Sequence, residues 1–183
     1  MSEEISDSEL LEQFRIESTR NMAFHMLVTK YQKRIYWQVR RIIIDHDDAN
    51  DVVQNTFIKV WKNLDGFKEA SRLYTWMYRI ATNESLTFLK QKRAPLHVPF
   101  EKVERGLSRK LQDDNYFKGD EIEKKLQRAM LTLPEKQRIV FNMRYYDETP
   151  YEEMSQMLDT SVGALKASYH HAVKKIEDFL KND

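Results

Sequence analysis

The residues best suited to chemistry lie in one stretch, residues 161–175: Ser161, Gly163, Lys166, Ala167, His170, His171 and Lys174. Gly163, Lys166, Ala167, His170 and Lys174 follow steps of three and four, which bring side chains onto one helical face. Ser168, His171 and Lys175 lie beside them, and no Asp or Glu interrupts the stretch. The chemistry such a face can do is recognition of duplex nucleic acid. Small residues near a helix start let it sink into a major groove, polar side chains reach base edges, and lysines neutralise phosphates. A helical hairpin packed for stability, with a merely solvated basic face, would carry the same pattern, and spacing alone leaves both readings open.

A second cluster mixes aromatic and cationic residues over residues 67–79, FKEASRLYTWMYR. Phe67, Lys68, Ser71, Arg72, Tyr74 and Trp76 are its candidates. Aromatic planes stack on unpaired bases while cations hold the backbone. The competing reading makes Tyr74, Trp76 and Tyr78 core aromatics.

Catalytic constellations are not expected. His46 with Asp45, Asp47 and Asp48 is the nearest approach to a metal cluster, but neighbours along a chain rarely converge on one ion. His25 and His97 show no ligand spacing, and His170 and His171 point roughly 100° apart on a helix. The sequence has no cysteine, which excludes disulfides and thiol-ligated metal. The expectation is a binding protein without enzymatic activity, metal or cofactor.

These clusters need elements to hold them. Gly and Pro number only four each, and long runs of helix formers point to an all-α chain. Formal net charge is +1, but its distribution is uneven: residues 1–19 hold six Asp/Glu against one Arg, and residues 20–93 hold 14 Lys/Arg against seven Asp/Glu. A basic segment of that kind commonly meets polyanions. No apolar run approaches the ~20 residues that span a membrane, and the acidic N-terminus is unlike a signal peptide, so a cytoplasmic protein without membrane insertion is expected.

Periodicity predicts a short helix through Leu10, Leu11 and Phe14, capped by Asp7 or Ser8, then a longer one through Phe24, Leu27, Val28, Tyr31, Ile35, Val39 and Ile42. A third carries Val53, Phe57, Val60 and Leu64, capped by Asp47 or Asp48 and ended by Gly66. Val52 and Trp61 fall off its core stripe, which suggests a second face that docks on a protein or is buried within its own domain. A fourth helix carries Leu73, Met77, Ile80, Ala81 and Phe88. Residues 95–120 read as a flexible linker, separating a domain at 1–94 from one at 121–183. The second block predicts a stripe of Ile122, Leu126, Ala129, Met130 and Leu133, then a helix begun by Pro134. A capping box at Thr149 and Glu152 starts the next helix. Asp159 takes a left-handed turn, and Ser161 caps the last helix. Met154, Leu158, Val162, Leu165, Tyr169, Val173 and Ile176 form the inner seam of this helix-turn-helix.

Three segments, in order, resemble the extracytoplasmic-function (ECF) group of bacterial sigma-70 factors: DANDVVQNTFIKVWKNLDGF from Asp48, LYTWMYRIATN from Leu73, and LPEKQRIVFNMRYYDETPYEEMSQMLDTSVGALKASYHHAVKKI from Leu133. The resemblance implies an all-α protein of two small helical domains, sigma regions 2 and 4, joined by the linker. It implies docking on the clamp and flap regions of core RNA polymerase, with Asp51, Gln54, Asn55, Phe57, Lys59 and Trp61 on the clamp-binding motif. It places Phe67, Lys68, Ser71, Arg72, Tyr74, Trp76 and Asn83 on the melted minus-10 strand, and Ser161, Gly163, Lys166, Ala167, His170, His171 and Lys174 on the minus-35 duplex. The two elements would lie about two helical turns apart. Relatives are commonly silenced by an anti-sigma factor, often membrane-bound, and often have Arg where this chain has Ser168 and His171. A conventional helix-turn-helix repressor would need a dimer interface, and an adaptor would show no DNA affinity. The docking helix and aromatic loop favour neither.

Overall fold

The computed structural model describes residues 5–93 and 121–182, and the predicted linker at 95–120 lies outside the described residues. Those residues form eight α-helices and one 3-10 turn: α1 (Asp7–Arg15), α2 (Arg20–Ile43), α3 (His46–Asn63), the turn Leu64–Gly66, α4 (Leu73–Arg93), α5 (Glu121–Leu131), α6 (Glu135–Tyr145), α7 (Tyr151–Leu158) and α8 (Val162–Asn182). Among the described residues there is no strand, and no helix is long and apolar enough to cross a membrane.

The first four helices pack around α2, whose Leu27, Tyr31, Ile35, Val39 and Ile42 are buried at helical spacing. Several predicted caps shift by a few residues. Ser6, not Asp7 or Ser8, caps α1: its hydroxyl accepts from the Glu9 amide at 3.3 Å while the Glu9 carboxylate takes the Ser6 amide at 2.9 Å. The Ser6 hydroxyl also donates to the Glu9 carboxylate at 2.7 Å, and this bond, together with that from the Ser6 amide, holds the Glu9 carboxyl below its usual range. Asp45, rather than Asp47 or Asp48, caps α3, accepting from the Asp48 amide at 2.9 Å. The others instead place their charge in the first turn, beside the positive helix end. Gly66 does not end α3 through a left-handed conformation. It sits in the 3-10 turn, and no glycine among the described residues has positive φ. Between α2 and α3 the chain bends at Ile44, φ 71°, an unfavourable conformation for a β-branched residue, held by its burial.

In the second half, Ala129, Met130, Leu133, Phe141, Ala172 and Ile176 make a small core among α5, α6 and α8. Ile122, predicted on that stripe, is 72% exposed, and Gln127 and Leu131 are buried in its stead. Pro134 is the residue before α6, not its first. The capping box at Thr149 does not form: α7 begins after Pro150, which has no side-chain cap, and Thr149 is buried with its amide bonded to the Met143 carbonyl at 2.9 Å.

The two halves also share a core. Ile139, Val140, Met143, Met154, Met157 and Leu165 join the buried cluster of the first four helices. Polar contacts frame this seam. Arg138 donates to the Ile42 carbonyl at 3.3 Å, Arg41 pairs with Asp147 at 3.0 Å, and the Tyr78 hydroxyl donates to Asp147 at 2.9 Å. Thr75 donates to Glu153, and the Arg41 guanidinium lies 4.3 Å from the Tyr146 ring centroid.

Candidate nucleic-acid and polymerase interfaces

α7 and α8 meet through a left-handed residue, Asp159, at φ 49° and ψ 49°. Ser161 then caps α8, its hydroxyl accepting from the Ala164 amide at 3.3 Å. This turn orients α8 so that Leu165, Ala172 and Ile176 face inward. Tyr169 is half-buried and stacks on Phe141 with ring centroids 5.8 Å apart. Of the predicted inner seam, Leu158, Val162, Tyr169 and Val173 are half-buried rather than buried, and Met157 and Ala172 take their place in the core. The opposite face is open. Ser161, Gly163, Lys166, Ala167, His170, His171 and Lys174 are all exposed. A Cβ added to Gly163 would meet nothing within 4 Å, so the start of this face is unobstructed. Lys166 extends over Tyr151, its ammonium 5.7 Å from the ring centroid.

On α3, Asp51, Gln54 and Asn55 are exposed with Ile58, which is 44% exposed. Positions 51, 54, 55 and 58 follow the three-four rule and form one outward stripe. Lys59 is also exposed but is paired with Glu84 of α4. Phe57 and Trp61 are placed differently from this stripe. Phe57 is buried. Trp61 is half-buried, edge-on to Phe14 at 5.1 Å and to Phe24 at 4.9 Å. Val52 is buried too, so the second apolar face of α3 is covered by the chain's own α1 and α2.

The aromatic loop sits against α7. Phe67 is buried, with its ring 5.1 Å from that of Trp76. Phe67, Lys68, Ser71 and Trp76 line a cleft of ≈ 350 Å³ whose far wall is Gln156 and Met157 of α7. A larger cleft of ≈ 690 Å³ gathers Asp7, Arg34, Glu69, Ser71, Arg72 and Tyr74 of the first half with Asp147, Glu148 and Glu153 of the second. Lys68 and Arg72 are exposed, as is Asn83, which lies three turns along α4 and lines neither cleft. Tyr74 is clamped between Tyr31, stacked at 5.8 Å, and the Arg34 guanidinium, 3.9 Å from its centroid. Burial and the nearby Asp147 push the Tyr74 hydroxyl up to about 12, and burial and Asp147 raise Tyr78 well above its ordinary value too. Burial likewise takes Tyr146 to about 12. All three hydroxyls therefore remain protonated near neutral pH, and Tyr78 serves Asp147 as a donor.

No group of three or more acidic or histidine side chains among the described residues could hold a metal ion. His46 instead meets the Tyr36 hydroxyl at 2.7 Å and Asn50 at 3.1 Å. Sequence reasoning missed Ile58, Arg34 and Arg41. Ile58 carried a usable signal, a large apolar residue on the polar side of an amphipathic helix. Arg34 and Arg41 come from α2, distant along the chain from the loop they face, and nothing local marked them.

Comparison with known proteins agrees with this architecture. Family models match twice: Sigma-70 region 2 over residues 27–94 and Sigma-70, region 4 over residues 123–176. The chain is 31% identical over 186 residues to the ECF RNA polymerase sigma-E factor of Escherichia coli K12, covering 97% of this chain and 96% of the relative. Among solved structures, CnrH in complex with the cytosolic domain of CnrY superposes with TM-score 0.70 at 23% identity, covering 97% of this chain and 98% of that one. The sigma factor RpoE of Bartonella quintana, in complex with the anti-sigma factor NepR, gives TM-score 0.67 at 20% identity, covering 87% and 98%. At these identities the two structures speak for the fold. The full-length identity to sigma-E and the paired region 2 and region 4 matches settle the rest: the chain belongs to the ECF sigma factors of the sigma-70 family and directs promoter-specific transcription.

Proposed function

We propose that this sigma factor uses three separate surfaces, carried by a first domain at 1–94, a linker at 95–120 and a second domain at 121–183. The outward stripe of α3 docks on the clamp of core RNA polymerase, and the second domain meets the flap. The loop at 67–72 with the start of α4 reads the melted minus-10 strand, and the open face of α8 reads the minus-35 duplex. The observation that carries this reading is the α8 face: seven candidate residues are exposed together on an acid-free stretch behind a left-handed turn. Such a face suits a major groove, where Ser161 and Lys166 near the helix start reach base edges and phosphates. Ser168 and His171 supply fewer permanent cations than arginines would, so useful minus-35 binding depends on polymerase holding the helix in place.

The chain acts by binding alone, in the cytoplasm, while polymerase makes the phosphodiester bonds. An anti-sigma factor is its regulatory partner by analogy with the Bartonella quintana relative, which is bound to one. Adding the purified chain to core polymerase on supercoiled genomic promoter fragments tests the central claim. Promoter-dependent initiation is expected, and its absence in every fragment would sink the reading. Ile58→Glu should weaken core binding about tenfold with little change in stability, since Ile58 lies on the solvent face of α3 at 44% exposure. Trp61→Ala should instead act through the fold, because the ring packs on Phe14 and Phe24.

A further inference from the structure

We infer that the corner between α1 and α2 is a positioning device for the loop at 67–72: Arg15 and Arg20 hold Glu69 and Asp65 on either side of Phe67 and Lys68, and this double brace sets how sharply a base of the minus-10 strand is selected. The inference deepens the assignment of that loop to the minus-10 strand and rests on it. The loop does little to hold itself. Among the described residues, its backbone bonds run from the Phe67 amide to the Leu64 carbonyl at 3.1 Å and resume only with the Trp76 amide on the Arg72 carbonyl at 3.1 Å. Between them lies Glu69 at φ 54°, a left-handed conformation that a glutamate adopts only against steric strain.

What holds the loop comes from outside it. Arg15, in the last turn of α1, pairs with Glu69 at 3.1 Å. Arg20, at the start of α2, reaches both carboxylate oxygens of Asp65 in the 3-10 turn that leads into the loop. Arg20 is itself fixed. Its Nε donates to the Phe14 carbonyl at 3.0 Å, and its guanidinium lies 4.6 Å from the Phe14 ring centroid and 5.9 Å from that of Trp61. The corner that carries both arginines is locked as well. The Ile16 carbonyl accepts from the Thr19 and Arg20 amides at 3.1 and 2.9 Å, and the Thr19 hydroxyl donates to the Gln13 carbonyl at 2.7 Å.

Magnitudes separate positioning from stability. Arg15 and Glu69 are half exposed, and exposed ion pairs contribute little to folding. A segment so lightly bonded responds to much smaller forces than a core does. A pocket that selects one base must be held to within about 0.5 Å, so a loosened loop still binds the strand but discriminates less. The arginines act through the loop rather than on the strand.

The test uses the full chain, free and in complex with core polymerase. Arg15→Glu and Glu69→Arg each set like charges together, and the two combined restore an opposite pair. Hydrogen exchange at the amides of residues 67–71 in the free chain should quicken about tenfold in each single variant and return to within about twofold of the parent in the swap. Urea midpoints should stay near that of the parent. In the polymerase complex, the ratio of initiation with the preferred minus-10 base to initiation with the other three should fall about tenfold in each single variant and recover in the swap. That ratio compares one promoter with itself, so sequence-independent phosphate binding cancels. Asp65→Asn should act in the same direction through Arg20. Unchanged exchange in all three single variants would overturn the brace. Faster exchange with an unchanged base ratio would overturn its role in selection. The loop assignment has its own readout: p-benzoylphenylalanine in place of the exposed Lys68 should crosslink to the non-template minus-10 strand. Without that crosslink the assignment fails and the selection claim with it, while the exchange result still stands for the brace.

Discussion

The two surfaces proposed to read DNA are built in opposite ways. The α8 face is a row of exposed side chains on a rigid helix, held by a buried back that includes Leu165, Ala172 and Ile176. The loop at 67–72 and the start of α4 are instead half inside the protein, with Phe67 and Thr75 buried and α7 across the cleft. The difference matches what each surface is proposed to read. A duplex offers its groove edges to any helix that fits, so reading needs display and no rearrangement. A melted strand must have bases drawn out and held, so reading needs pockets with aromatic walls, and such pockets collapse or fill when empty. Here the second domain fills them.

The comparison predicts, first, a large asymmetry in stability. Phe67→Ala removes a buried ring that packs on Trp76 and should cost about 3–5 kcal/mol. Lys166→Ala, on the open face, should stay within about 0.5 kcal/mol of the parent. Urea unfolding followed by far-UV circular dichroism measures both. Equal costs would mean that the loop is no more integrated than the helix face. A large cost for Phe67→Ala would also mean that a transcription defect in that variant cannot be assigned to lost strand contacts without a stability control.

A smaller effect should separate the surfaces by pH. Tyr74, Tyr78 and Tyr146 line the seam between the domains, and their hydroxyls are raised above 10.0 by burial, with Asp147 adding to the effect at Tyr74 and Tyr78. For a tyrosine with raised native pKa, the unfolded chain loses its proton first. The contribution to stability is therefore complete below about pH 10 and is lost as pH climbs through about 12. The urea midpoint should be flat from neutral to mildly alkaline pH and fall from pH 10 upward. Tyr74→Phe should make that fall shallower. A midpoint that held level to pH 12 would mean that the seam is wetter than its packing indicates.

The same contrast explains what the sequence disclosed. The α8 face was legible almost residue by residue, because a helical face exposed to water obeys a single rule of spacing, and the turn at Asp159 has local chemistry. The alternation of aromatics and cations marked the loop at 67–72, yet not that Phe67 is buried or that Met157 covers it. Those facts depend on the docking of segments far apart in the chain, which no local period encodes. On α3, the position of Trp61 off the core stripe leaves docking and burial within the domain equally open, and the ring in fact packs on Phe14 of α1 and Phe24 of α2. Misplaced caps have a plainer cause. Clusters such as SDS at 6–8 and DHDD at 45–48 offer several acceptors within one turn, and only the first residue of each took the extended conformation that a cap requires.

The smallest predicted effect is the sharpest test of the open surface. Lys166→Glu and Lys174→Glu each reverse one exposed charge on the α8 face, away from the residues of the seam. Each should weaken minus-35 binding by the polymerase complex about tenfold and lower the salt slope of binding by about one. The loss should be uniform across duplex sequences if a lysine touches only phosphate, and concentrated at one base pair if it reaches a base edge. Lys166, one turn from the helix start, should show the second pattern, and Lys174, three turns along, the first. Binding assays over a salt series on a set of single-base promoter variants distinguish them. If both lysines behaved alike, α8 would lie flatter across the groove than its unobstructed start at Gly163 indicates. If neither mattered, the surface that reads the upstream element would have to be sought elsewhere on the second domain.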